Sequence, residues 1–348
     1  MKRREWHPSA ILLLGALTAC SAASPPDGEP RSEEDGRLVV ALPPGRIDDF
    51  ERVLVPAFER DTGIDIETVG LRSADQVARL RIEQGQPTMD VLWIDLAEAQ
   101  LLGREGLIAA VTEAEVPNIA RVRPEARRGT GIAPVTFSSA LGFLYNTERL
   151  DGPPASWAAL WDPAYRGEIV WFDFGSSLGP MTLALAARLA GGSEMDIDPG
   201  FVKLAELLPN IAHFGTSGPA NNLLVAQGEA GVTFGLANQA RDLAAGGAPV
   251  AWAVPEEGAI ALPQGFQIVA ATPRLAAAHA FLDYALGVEA QTRLANELLL
   301  AVSNADVELE AEVEPLVPLD RLLYLDVEVI GARRGEWTNR FNREILAR

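Results

Sequence analysis

Cysteine, histidine and tyrosine are scarce in this chain, at one, three and four in 348 residues, and each scarcity closes off some chemistry. With Cys20 alone, no intrachain disulfide can form, so the fold must rest on its core. His7 falls in the N-terminal leader, and His213 and His279 with one cysteine are too few for a zinc site. No P-loop is present to cradle phosphates. Acidic residues are so common that paired carboxylates carry no weight as acid–base candidates. These absences argue against an enzyme, and nothing calls for a metal or cofactor. Positive charge is also in short supply: 29 Lys plus Arg face 48 Asp plus Glu, a net charge of −19. That argues against nucleic acid, which needs a basic face, and against polybasic docking on anionic lipid. An acidic surface keeps the chain soluble and favours cationic ligands at long range. No apolar run reaches the ~20 residues of a membrane span, and no internal repeat is visible.

What is present begins at the N-terminus. Lys2, Arg3 and Arg4 precede a short apolar run from Ala10 to Leu17, which ends in Leu17-Thr18-Ala19-Cys20. A basic start, a short apolar stretch and small residues before a cut form a secretory signal peptide. The last four residues resemble the lipobox of bacterial lipoproteins. The resemblance implies that residues 1–19 are removed and that Cys20 becomes the lipidated N-terminus. Residues 20–37, with Pro25, Pro26, Gly28 and Pro30, read as a disordered tether. The expected location is the periplasm or the cell surface, held to a membrane by lipid.

The body alternates strand and helix. Leu38–Leu42 is an apolar strand ended by Pro43-Pro44-Gly45. Ile47, Phe50, Val53, Leu54 and Phe58 predict one helix, closed at Thr62-Gly63. An alternating strand follows at Ile64–Val69, a helix over Ala74–Gln84, a strand over Met89–Ile94 and a helix over Ala97–Arg104. This order predicts a parallel sheet covered by helices, in which ligands sit beyond the carboxyl ends of the strands. The alternation resumes with strands at 167–173, 230–234 and 250–254, and helices at 181–189, 200–208 and 238–245. Two strand-like stretches, Thr136–Tyr145 and Ile260–Ala270, look like links between halves. Helices over Leu275–Leu286 and Val288–Leu300 close the reading.

Several stretches together resemble the substrate-binding proteins of bacterial ABC importers, nearest the polyamine (spermidine/putrescine) branch. They are Phe58–Ile64, Met89–Trp93, Trp157–Gly167, Leu208–Phe214, Pro219–Asn221 and Pro255–Ala259, in the family's order. The resemblance implies an α/β, two-lobed periplasmic-binding-protein-like fold (type II) with two hinge crossings. Lobe 1 is expected to be 38–137 plus 262–348, and lobe 2 to be 138–261. Ligand is clamped between them by hinge closure, and the closed form docks on membrane permease subunits. A monomer is expected. Sensing of a ligand, or binding of ferric ion or another small organic ion, are the other uses this family implies.

The candidate cleft residues come from strand ends, helix starts and hinges. Arg46 after the Pro-Pro-Gly turn suits a ligand acid. Trp93 and Asp95 end a strand, although Asp95 equally suits an N-cap. Ser138 and Gln264 fall at the crossings. Trp171 and Asp173 end a strand of the second half, and Asp173 matches an amine-pairing acid of the polyamine branch. Ser176 and Ser177 offer hydroxyls at a helix start, or cap it. Asn221 and Asn238 open later helices, and Phe234 occupies a stacking position or a core one. Departures from the polyamine pattern are plain. Pro43-Pro44-Gly45-Arg46 replaces an aromatic cluster, and Leu262 and Gln264 replace a Trp and an Asp. Tyr145, Tyr165, Tyr284 and Tyr324 include no pair of the kind iron-binding relatives use. The ligand expected is a small polar organic molecule, polyamine-like or an amine-bearing zwitterion.

Overall fold

The computed structural model describes residues 36–83, 85–128 and 131–347. Cys20, the signal peptide and nearly all of the tether lie outside the described residues. The first half runs β1 (Arg37–Leu42), α1 (Ile47–Val53), α2 (Val55–Thr62), β2 (Asp65–Gly70), α3 (Ser73–Glu83), β3 (Val91–Asp95) and α4 (Leu96–Arg104). The second runs β4 (Phe137–Asn146), β5 (Ile169–Phe172), α5 (Leu178–Leu189), α6 (Asp198–Leu207), β6 (Ile211–Gly215), α7 (Gly218–Ala226), β7 (Val232–Leu236), α8 (Ala237–Ala245) and β8 (Val250–Ala253). The chain then returns through β9 (Ala259–Ile268), α9 (Leu275–Leu286), α10 (Val288–Leu298), β10 (Ala301–Val302), β11 (Leu322–Leu323) and α11 (Val327–Phe341).

The strands form one mixed sheet in the order β2-β1-β3-β9-β4-β7-β5-β6. β1, β2 and β3 are parallel, as are β5, β6 and β7. The two long strands β4 and β9 run antiparallel between these groups, pairing from Phe137↔Gln264 to Leu141↔Ile260. This is the α/β fold expected, with the two crossing strands at the joint. β1 is an unbroken apolar run because helices cover both faces of a parallel sheet.

Two main apolar clusters lie on either side of the crossing. The first is built from β1–β3, the helices between them and α9–α10. The second gathers Phe143, Trp157, Trp171, Phe172 and Phe234 with α5 and α6. Asp90, 2 % exposed, ties the first together: its carboxylate accepts from the Val39 N–H at 2.8 Å and the Thr272 hydroxyl at 2.6 Å, and faces the Arg274 guanidinium. A buried carboxylate is tolerable only with such partners.

Three local outcomes differ from the sequence reading. The single helix expected over Ile47–Phe58 is two, α1 and α2, joined at Leu54. Pro56 sits in the first turn of α2, where a missing N–H is harmless but where the preceding residues are pushed out of a continuous helix. The segment Ile211–Gly215, not among the expected strands, is β6. The C-terminal segment, allotted with 262–348 to lobe 1, returns to the other side. β11 pairs with the Ala259–Ile260 end of β9, and Ile330, Trp337 and Phe341 of α11 pack in the second cluster. These three apolar residues recur at helical spacing and have nowhere else to be buried. α11 also touches α4, through the exposed Arg104–Glu328 ion pair at 2.9 Å.

Candidate functional site

The carboxyl ends of β3 and β5 point to the same region as the Leu262–Gln264 part of β9. A cavity of about 230 Å³ is found there, lined by Asp95–Glu98, Ser177, Leu178, Met181, Leu262–Gln264 and four residues of α11: Val327, Ile330, Gly331 and Arg334. Four elements meet in it: the start of α4, the start of α5, the crossing strand β9 and the C-terminal helix. One wall is aliphatic, formed by Leu178, Met181, Leu262, Pro263, Val327 and Ile330. The rest is polar.

Three residues anticipated from sequence line this cavity: Asp95, Ser177 and Gln264. Asp95 stands at the N-cap position of α4, yet its side chain makes no cap hydrogen bond. Its carboxylate instead accepts from the Ser73 hydroxyl at 3.0 Å and the Gln264 amide at 2.7 Å. Gln264 sits opposite Asp95 in the β3–β9 register and also accepts from the Trp93 indole N–H at 3.1 Å. Among the described residues no cation pairs with Asp95. Ser177 likewise occupies the N-cap of α5 without a side-chain cap, and it is exposed.

Asp173 and Ser176 build the turn that presents Ser177. The Asp173 carboxylate accepts from the N–H groups of Gly175 at 2.9 Å and Ser176 at 3.1 Å, and the Ser176 hydroxyl accepts from Leu178 N–H at 3.2 Å. One Asp173 oxygen is therefore committed to backbone. Arg46, partly buried, reaches Asp49 at 3.4 Å. Asn238 is half-buried in the first turn of α8.

Other expected contacts are placed in the core. Trp171 and Phe234 are 0 % and 1 % exposed; Phe234 stacks on Trp157 at 4.8 Å and meets Trp171 edge-on. The stacking position read for Phe234 is filled by protein, because its neighbours on β4 and β5 are aromatic too. Trp93, 1 % exposed, lies among Phe137, Phe266 and Phe50, and only its N–H reaches Gln264. Asn221, in the first turn of α7, is fully buried against Gly215, whose missing side chain makes the room. Ser138 is buried on β4 beside the Tyr324 phenol; burial first, then a smaller opposing effect of the Ser138 hydroxyl, leaves that phenol raised above its ordinary value.

Two charged residues of the cavity escaped sequence reasoning. Glu98, in the first turn of α4, has its carboxyl pushed above the ordinary range by burial and then by the neighbouring Asp95, against a smaller pull from Arg334. Arg334, on α11, donates to the Gly175 carbonyl at 3.0 Å and forms no ion pair among the described residues. Glu98 was legible as the residue one turn after Asp95. Arg334 was not, since α11 itself went unread. Among the described residues no group of three or more His, Cys, Asp or Glu is placed to hold a metal ion, and no helix is long and apolar enough to cross a membrane.

Comparison with known proteins settles the class. The sequence pattern of the bacterial extracellular solute-binding proteins matches residues 54–318. The chain belongs to that family. It is 22 % identical over 296 residues to spermidine/putrescine-binding periplasmic protein 1 of Haemophilus influenzae, covering 82 % of this chain and 79 % of that one. A Salmonella typhimurium protein provisionally named as a 2-aminoethylphosphonate-binding periplasmic protein is 27 % identical over 253 residues, with 70 % and 71 % covered. A solved ABC transporter protein from Clostridium perfringens superposes with a TM-score of 0.75 at 19 % identity, over 88 % of this chain and 99 % of that one. The family is extracellular or periplasmic, and its members bind small ligands and deliver them to ABC permeases. Relatives and fold alike are those of binding proteins rather than enzymes.

Proposed function

We propose that this solute-binding protein captures a small polar organic molecule bearing an amine, either polyamine-like or an amine-bearing zwitterion, and hands it to an ABC importer. The observation that carries the reading is the cavity between α4, α5, β9 and α11, where the Asp95 carboxylate is neither used as a helix cap nor paired with a cation. Glu98 supplies a second acidic group to the lining, while Asp173, at the neighbouring strand end, holds the turn that presents Ser177. The names of the two relatives, one for polyamines and one for an aminophosphonate, point to the same chemistry. Trp171 and Phe234 act on the ligand only by holding the strand ends in place.

The reading includes a clamp. The sides carrying the two main apolar clusters close on the ligand about the β4–β9 crossing, with α11 bridging them at the cavity. The protein acts as a monomer, tethered by lipid on Cys20. A thermal-shift screen of amines, amino acids and phosphonates tests the ligand, since a ligand at 100 times its dissociation constant adds about 2.7 kcal/mol of apparent stability. Small-angle scattering with the identified ligand must then show compaction; an unchanged radius at saturation sinks the clamp. Metabolic labelling with a fatty-acid analogue tests the anchor. Wild type should take up label and Cys20→Ala should not.

A further inference from the structure

Glu98 and Arg334 line one cavity with opposite charges, and among the described residues neither forms an ion pair, although Arg334 lies near enough to pull on the Glu98 carboxyl. Ion pairs abound elsewhere on this surface, and Arg104 and Glu328 meet on the same two helices. Arg334 is exposed, so its guanidinium stays solvated and open to a ligand anion. Asp95 doubles the negative charge at one pole. The positive charge is Arg334, and the Ser177 hydroxyl shares its lining. The same lining holds the aliphatic Leu178, Met181, Leu262 and Ile330. The volume, about 230 Å³, is below the ~300 Å³ at which pockets for drug-sized ligands begin.

We propose that this cavity is specific for a short ω-amino acid: an amine against Asp95 and Glu98, a few methylenes along the aliphatic wall, and a carboxylate or phosphonate against Arg334 and Ser177. The inference rests on the amine-in-the-cleft reading and narrows it. A linear polyamine satisfies the acidic pole but sets a second cation against Arg334. A simple carboxylic acid satisfies Arg334 and leaves two carboxylates facing each other. Only a molecule with both ends completes both poles.

Calorimetry on the full chain with four probes decides it: 4-aminobutanoate, 2-aminoethylphosphonate, putrescine and butanoate. Wild type should bind at least one of the two zwitterions at least tenfold more tightly than putrescine or butanoate. Arg334→Gln should weaken that zwitterion at least tenfold and leave putrescine unchanged or tighter. Glu98→Gln should weaken every amine. Arg334 is exposed, and a urea midpoint within error of wild type checks that the variant is folded. If putrescine binds as tightly as the zwitterions and Arg334→Gln binds like wild type, while Glu98→Gln weakens binding, the amine reading stands and the two-pole inference is overturned. If no amine-bearing probe binds wild type, the amine reading itself is overturned, and the inference with it.

Discussion

Replacing Gln264 by Leu removes two hydrogen bonds at nearly constant volume, at the point where the crossing strand meets the cavity. The Gln264 carbonyl accepts from the Trp93 indole at 3.1 Å and its amide donates to the Asp95 carboxylate at 2.7 Å. The first is a neutral hydrogen bond, worth about 1 kcal/mol, and Trp93 is 1 % exposed, so its orphaned N–H adds to the cost. The second is charge-assisted, worth about 1.5–3 kcal/mol. Asp95 keeps the Ser73 hydroxyl at 3.0 Å and can take up water, which recovers part of that loss. Leu at a half-buried position returns little by burial. The expected net loss is about 2–4 kcal/mol. Urea unfolding followed by tryptophan fluorescence should show a lower midpoint with an unchanged slope. A double-mutant cycle with Asp95→Ala isolates the pair and should give a coupling of at least about 1 kcal/mol. A midpoint shift worth less than about 0.5 kcal/mol, or no coupling, refutes the claim that this triad fixes Asp95 at the cavity.

Asp173→Asn keeps an oxygen for the Gly175 and Ser176 N–H groups and removes a charge that does not line the cavity, so the turn should survive and amine binding should change by less than about 0.5 kcal/mol in calorimetry; a loss of about 1.5–3 kcal/mol would move the amine to Asp173. Trp337→Ala should cost about 3–5 kcal/mol in chemical denaturation, because the indole is fully buried in the second core; a loss under 1 kcal/mol would show that α11 is not committed to that core. For Glu194, burial alone raises the carboxyl, but hydrogen bonds from Arg188 and from the Asp326 N–H outweigh it and hold the group below its ordinary value. A depressed folded-state value contributes stability above the unfolded value of ~4.3, lost as pH falls through the folded one. Stability measured from pH 7 down to 3 should therefore fall less steeply for Glu194→Gln than for wild type.

The sequence determined the alternation of strands and helices, the parallel sheet and the two crossing strands, because buried strands and amphipathic helices write their periods locally. It also singled out Asp95, Ser177 and Gln264, since strand ends and helix starts are where such a sheet presents ligand contacts. It could not tell that Phe234 and Trp171 face inward: an aromatic at a strand end reads the same whether its neighbour is ligand or Trp157. Nor could it tell that Asp95 is spared from capping, because that depends on Ser73 and Gln264, which are 22 and 169 residues away. The return of α11 to the second core, which carries Arg334 into the cavity opposite Glu98, was decided by packing alone. A charge pair split across a cavity by 236 positions of chain leaves no local signature; only the tertiary arrangement brings its two ends to face one space.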